Sequence, residues 1–111
     1  MDALSDTLLM NKDMEIVALG MRLLISYISK TFSKVDLIAL FHKILERMRG
    51  GYPQDEIVWL MVTSWNKAVN EYTLHKVVSK WCDVAFLLLK HVDDKEVYQM
   101  PMEESYKEMS Q

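Results

Sequence analysis

A chain of 111 residues, half of them apolar, is long enough to bury a core and too apolar to be disordered throughout. Its formal charge of −3 lacks the basic footprint that broad nucleic-acid binding requires. One cysteine excludes an internal disulfide, and no apolar run approaches the ~18 residues of a membrane span.

Met1–Met10 is expected to form one or two helical turns that cap the domain. Asn11 or Asp13 can then serve as N-cap for a helix from about Met14 to Phe32. Its polar residues Glu15, Arg22, Ser26 and Ser29 form one narrow strip, so the helix is expected to be mostly surrounded. Gly20 inside it costs roughly 1 kcal/mol relative to alanine, and close helix packing is the usual reason to tolerate that.

Ser33 is placed to cap the next helix, with Asp36 in a capping-box-like position. That helix is predicted over Lys34–Arg49, with Leu37, Ile38, Phe41, Ile44, Leu45 and Met48 inward. Gly50-Gly51 stops it, and Pro53 suits the first position of a further helix whose dipole Asp55 and Glu56 complement. This helix should reach about Tyr72, with Val58, Met61, Val62, Trp65, Ala68, Val69 and Tyr72 on one face. A second stripe (Leu74, Val77, Val78, Trp81, Val84, Ala85, Leu88, Val92) predicts a helix from about Leu74 to Val92. Asp93 or Asp94 caps the tail, 93–111, which Pro101 makes either a kinked helix or two short ones. With no strand pattern, the fold class is all-α: a single helical domain over 1–111 with about five to six helices.

Charge is unevenly spread. Six Lys/Arg against two acids give Arg22–Arg49 a net +4, and six acids against two Lys give Asp93–Glu108 a net −4. Two oppositely charged solvated faces are the expected outcome.

No catalytic constellation is present. His42, His75, His91 and Cys82 lack metal-ligand spacing, and His42 and His75 read as surface histidines. Cys82, beside Trp81, reads as a small buried hydrophobe. Gly50-Gly51 lacks the Lys-Ser/Thr of a phosphate loop, and Glu103-Glu104 are neighbours in a tail rather than a paired acid and base. The chain is expected to be no enzyme and to use no cofactor or metal. Its opening residues carry no secretory-signal pattern, so a soluble intracellular protein is expected.

Two features can bind a partner. Trp59, Thr63, Asn66 and Asn70 form a mixed aromatic and amide flank beside the core stripe. That flank either packs within the domain or meets another helix. Phe86 and Leu87 fall outside the apolar stripe and need a cover. Val97, Tyr98, Met102, Tyr106 and Met109 of the tail can supply it; otherwise Phe86 and Leu87, with Tyr98 and Tyr106, form a partner surface. Nine methionines suit an adaptable core or a forgiving binding surface.

The Trp65…Ala68-Val69…Tyr72 face, followed by Trp81, Ala85 and Leu88, looks like a degenerate tetratricopeptide helix pair, with Trp81 where a small alanine is usual. A longer string is more specific. Glu56-Ile-Val-Trp59-Leu60, Thr63-Ser64-Trp65-Asn66, Ala68-Val69-Asn70-Glu-Tyr72, Lys80-Trp81-Cys82 with Ala85, and Glu104-Ser-Tyr106 together resemble the C-terminal end of the meiotic tetratricopeptide-repeat crossover proteins. This is the family called Zip-four or sporulation protein twenty-two in fungi and plants and testis-expressed protein eleven in vertebrates. The match covers roughly Tyr52–Gln111 and departs from the family pattern at Asn70 and Pro101.

The resemblance implies antiparallel helical hairpins stacked as the end of a tetratricopeptide-like α-solenoid, cut from a longer chain. It implies a nuclear scaffold on meiotic chromosomes that promotes crossover formation and synapsis by recruiting recombination or synaptonemal-complex proteins. No direct nucleic-acid or membrane contact is expected. The apolar N-terminal helices would face a missing repeat, and the fragment can form a homodimer through them. The alternatives are a structural capping end with no partner of its own, a generic helical adaptor domain, and a ligand carrier with a pocket between helices.

Overall fold

The computed structural model describes residues 13–31, 34–48 and 52–110. The turns expected over Met1–Met10, the Ser33 cap and the Gly50-Gly51 stop lie outside the described residues. Five α-helices follow in order: α1 (Met14–Thr31), α2 (Lys34–Arg47), α3 (Gln54–His75), α4 (Lys80–Leu89) and α5 (Lys95–Met109). No strand occurs among the described residues. The chain is all-α and compatible with a helical-repeat architecture. Its internal contacts divide it into two compact units, Met1–Glu56 and Ile57–Gln111.

In the first unit Asp13 caps α1, its Oδ1 accepting a hydrogen bond from the Glu15 amide at 3.0 Å. Helices α1 and α2 pack on each other. Met14, Val17, Ala18, Met21, Leu24 and Ile25 of α1, with Leu37, Ile38, Leu40, Phe41 and Ile44 of α2, form the core. The expectation that the first long helix is mostly surrounded is corrected here. Ile16, Leu19, Leu23 and Tyr27 are all exposed, because packing on one neighbouring helix buries only one face of α1. Leu45 and Met48 are half-buried rather than core, and Leu40 takes a core place instead. Tyr52 is buried, and the Arg22 Nε donates to Glu56 Oε2 at 2.9 Å.

In the second unit α3 buries Ile57, Leu60, Met61, Ser64 and Ala68. Met61 and Ala68 of the predicted stripe are buried as expected, but the buried face is turned round the helix toward Ile57, Leu60 and Ser64. Val62 and Val69 are therefore exposed, while Val58, Trp65 and Tyr72 are half-buried. Small Ser64 and Ala68 point inward because they let neighbouring backbone approach closely.

The predicted start of the next helix at Leu74 is also corrected. Helix α3 runs on to His75, Lys76 takes a left-handed φ of 58°, and Ser79 caps α4 by accepting from the Trp81 amide at 3.1 Å. Leu74, Val77 and Val78 thus belong to the end of α3 and the connection, and are exposed. Helix α4 buries Trp81, Cys82, Val84, Ala85, Leu88 and Leu89. The tail is one helix with Pro101 inside it, packed on α4 and burying Met102 and Met109. Asp94 holds its N-cap position without a side-chain cap bond.

Candidate functional site

Residues spaced three and four apart on a helix stack into a ridge. Met61, Val62 and Trp65 make such a ridge on α3, and Val97, Tyr98, Pro101, Met102 and Ser105 make another on α5. The two ridges face each other across an open cleft of about 220 Å³. Met61 and Met102 are buried at its base, while Val62 and Val97 are exposed at its rim. Pro101 has no N–H to offer the Val97 carbonyl, so that carbonyl lacks its usual helical donor.

An aromatic ladder holds one end of the cleft. Phe86 meets Trp65 at 5.6 Å between ring centroids and 75° between planes. On its other side it meets Tyr106 at 5.6 Å and 90°. Edge-to-face pairs of this kind set the quadrupole of one ring against that of the next. One side chain from each of α3, α4 and α5 therefore fixes the register of the three helices.

The rim is acidic. The exposed Asp93, Asp94, Glu96, Glu103, Glu104 and Glu108 outnumber Lys95 and Lys107 along α5 and its approach. A cleft with this lining offers apolar surface to a single large side chain.

The structure distributes the sequence-derived candidates unequally. Tyr98 lines the cleft, and Phe86 and Tyr106 form the ladder beside it. Leu87 is exposed next to Phe86. Trp59 and Thr63 are half-buried and Asn66 and Asn70 exposed on another face of α3, away from the cleft lining. The other seven lining residues are absent from the sequence-derived site, Met61, Val62 and Trp65 being read there as core stripe. The four-residue spacing of Val97, Pro101 and Ser105 was the available signal.

Cys82 is buried; burial, and secondarily the neighbouring Asp83 carboxylate, push its thiol above the ordinary value. It stays protonated at neutral pH and is a weak nucleophile. Lys67 Nζ lies 5.7 Å from the centroid of the Trp81 ring, within cation–π range. Among the described residues no three His, Cys, Asp or Glu side chains are grouped to hold a metal ion. No described helix is long and apolar enough to cross a membrane. No family model matches this sequence, and no solved structure matches this chain.

Proposed function

We propose that this chain is a non-catalytic protein–protein interaction module, the C-terminal part of a meiotic crossover and synapsis scaffold that recruits recombination or synaptonemal-complex proteins to chromosomes in the nucleus. Two things support this reading. The motif string between Glu56 and Tyr106 resembles that family, and the second unit presents an apolar cleft on a helix, α5, that exposes six carboxylates along itself and its approach. The cleft is the observation that carries the binding role. Its preferred occupant is a short amphipathic helix whose apolar anchor sits between Trp65 and Tyr98 and whose Lys/Arg flanks meet the α5 carboxylates.

The test places a photo-activatable side chain at Val62 or Val97 of the full-length protein in meiotic cells. Cross-linked partners are then identified by mass spectrometry. Recombination or synaptonemal-complex proteins should be captured, and Val97→Glu should reduce that capture at least tenfold. Equal capture by Val97→Glu, or capture of none of these proteins, overturns the proposal.

A further inference from the structure

At about 220 Å³ the cleft between α3 and α5 falls below the ~300–1,000 Å³ of sites that enclose a cofactor or drug-sized ligand, and it is sized for one large side chain. Its base is two buried thioethers, Met61 and Met102, and its walls include the rings of Trp65 and Tyr98. Sulfur and ring edges both favour an aromatic guest over an aliphatic one. One polar feature stands in this apolar lining. Val97 and Pro101 both face the cleft, and proline at position 101 leaves the Val97 carbonyl without the N–H that normally closes that turn. Covering such an acceptor with hydrocarbon costs its hydration, so a guest that brings a donor is favoured.

Charge is placed along the same ridge. Asp94, Tyr98, Pro101, Ser105 and Glu108 are spaced four, three, four and three, so they share one face of α5. The cleft takes up the middle three. An exposed carboxylate stands at each end, the two about 21 Å apart at 1.5 Å per residue. On α3 the facing ridge continues through Val58 and Val69, which are apolar, so ionic recognition falls to α5.

Resting on the binding role proposed for the cleft, we infer that its anchor is a tryptophan on a partner helix that carries a lysine or arginine about two turns to either side. The indole sits between Trp65 and Tyr98, and its N–H donates to the Val97 carbonyl. Indole offers one donor and no acceptor, so no polar group of the guest is left unmatched. The flanking cations meet Asp94 and Glu108, and their spacing along the partner helix equals that of the two carboxylates.

The test is an NMR amide-shift titration of the 111-residue chain with an alanine-rich helical peptide that has a central tryptophan and a lysine seven residues to either side. Binding is expected, with the largest shifts at Val62, Val97 and Met102. Naphthylalanine in place of the tryptophan keeps the two fused rings and lacks the N–H. That peptide should bind about fivefold more weakly, the net worth of a single hydrogen bond. Pro101→Ala supplies an N–H to the Val97 carbonyl from within α5 and should shrink the preference to about twofold or less. Asp94→Asn combined with Glu108→Gln should weaken both peptides alike, about fivefold, and leave the preference in place. Equal affinity of the two peptides, a preference that survives Pro101→Ala, tighter binding of a leucine peptide, or binding of none overturns the inference. Equal affinities together with cellular capture of recombination proteins would remove the tryptophan anchor and keep the scaffold role. The expected peptide selectivity without that capture would keep the anchor and remove only the meiotic assignment.

Discussion

Phe86 stands perpendicular to Tyr106, their ring centroids 5.6 Å apart, and so couples the middle of α4 to the last turns of α5. Removing the ring at Phe86, which also meets Trp65, should cost about 2–3 kcal/mol, less than a fully buried phenylalanine because the residue is half-buried. A double-mutant cycle of Phe86→Ala with Tyr106→Ala, followed by urea denaturation, should yield a coupling of about 0.5–1.5 kcal/mol. Strict additivity would mean that the ladder is contact without energy.

The break between α3 and α4 rests on two residues. Ser79→Ala removes the oxygen that accepts from the Trp81 amide and should cost about 1 kcal/mol. Lys76 behaves oppositely. Its left-handed φ costs on the order of 1 kcal/mol for a residue with a Cβ, while its ammonium, 5.3 Å from the Tyr72 ring centroid, returns about 0.5 kcal/mol at this exposed site. Lys76→Gly should therefore raise stability by roughly 0.5 kcal/mol, and β-branched Lys76→Ile should lower it by ~1 kcal/mol. Thermal melts of the three variants check the order.

Ser64 is wholly buried, and its hydroxyl donates to the Met61 carbonyl at 2.8 Å. Deleting the hydroxyl takes donor and desolvation cost away together, so Ser64→Ala should lie within about 0.5 kcal/mol of wild type. Ser64→Leu overfills the same position and should cost about 1–3 kcal/mol. Chemical denaturation distinguishes the two outcomes, and similar losses would mean that the hydroxyl rather than the small volume is what the site requires.

Alkaline pH should destabilise both units. Burial, then the nearby Glu56 charge, push the Tyr52 hydroxyl well above its ordinary 10.0, and the Cys82 thiol is raised above its ordinary 9.0. Each group is an acid held neutral by the fold, so its stabilising effect is complete below the ordinary value and is lost as pH rises through the folded one. The slope is at most about 1.4 kcal/mol per pH unit for each group. Unfolding monitored from pH 8 to 11 should show the loss begin near pH 9. Tyr52→Phe should flatten the steeper part above pH 10, and an unchanged profile would contradict the assignment.

Much of the fold was legible because α1 and α5 carry readable signals. Asp13 caps where a cap was expected, and Pro101 marked the tail as unusual. The core face of α3 was only partly legible: Met61 and Ala68 are buried as read, the rest of the stripe is not. Val58, Val62, Trp65 and Val69 outweigh Ile57, Leu60 and Ser64 in hydrophobicity, yet the small Ser64 permits closer packing and takes the interior. The start of α4 was hidden because Leu74, Val77 and Val78 continue its stripe in period although a left-handed residue intervenes. The cleft followed from the same ambiguity: a helix apolar on two faces buries one and leaves the other lining a groove.

Cys82 is the only thiol in the chain and is buried in the second unit's core. A thiol-specific dye therefore cannot react until that core opens, which makes this residue an intrinsic clock for local unfolding. Timed labelling would separate brief breathing of the Ile57–Gln111 half from collapse of the whole molecule, without any engineered probe.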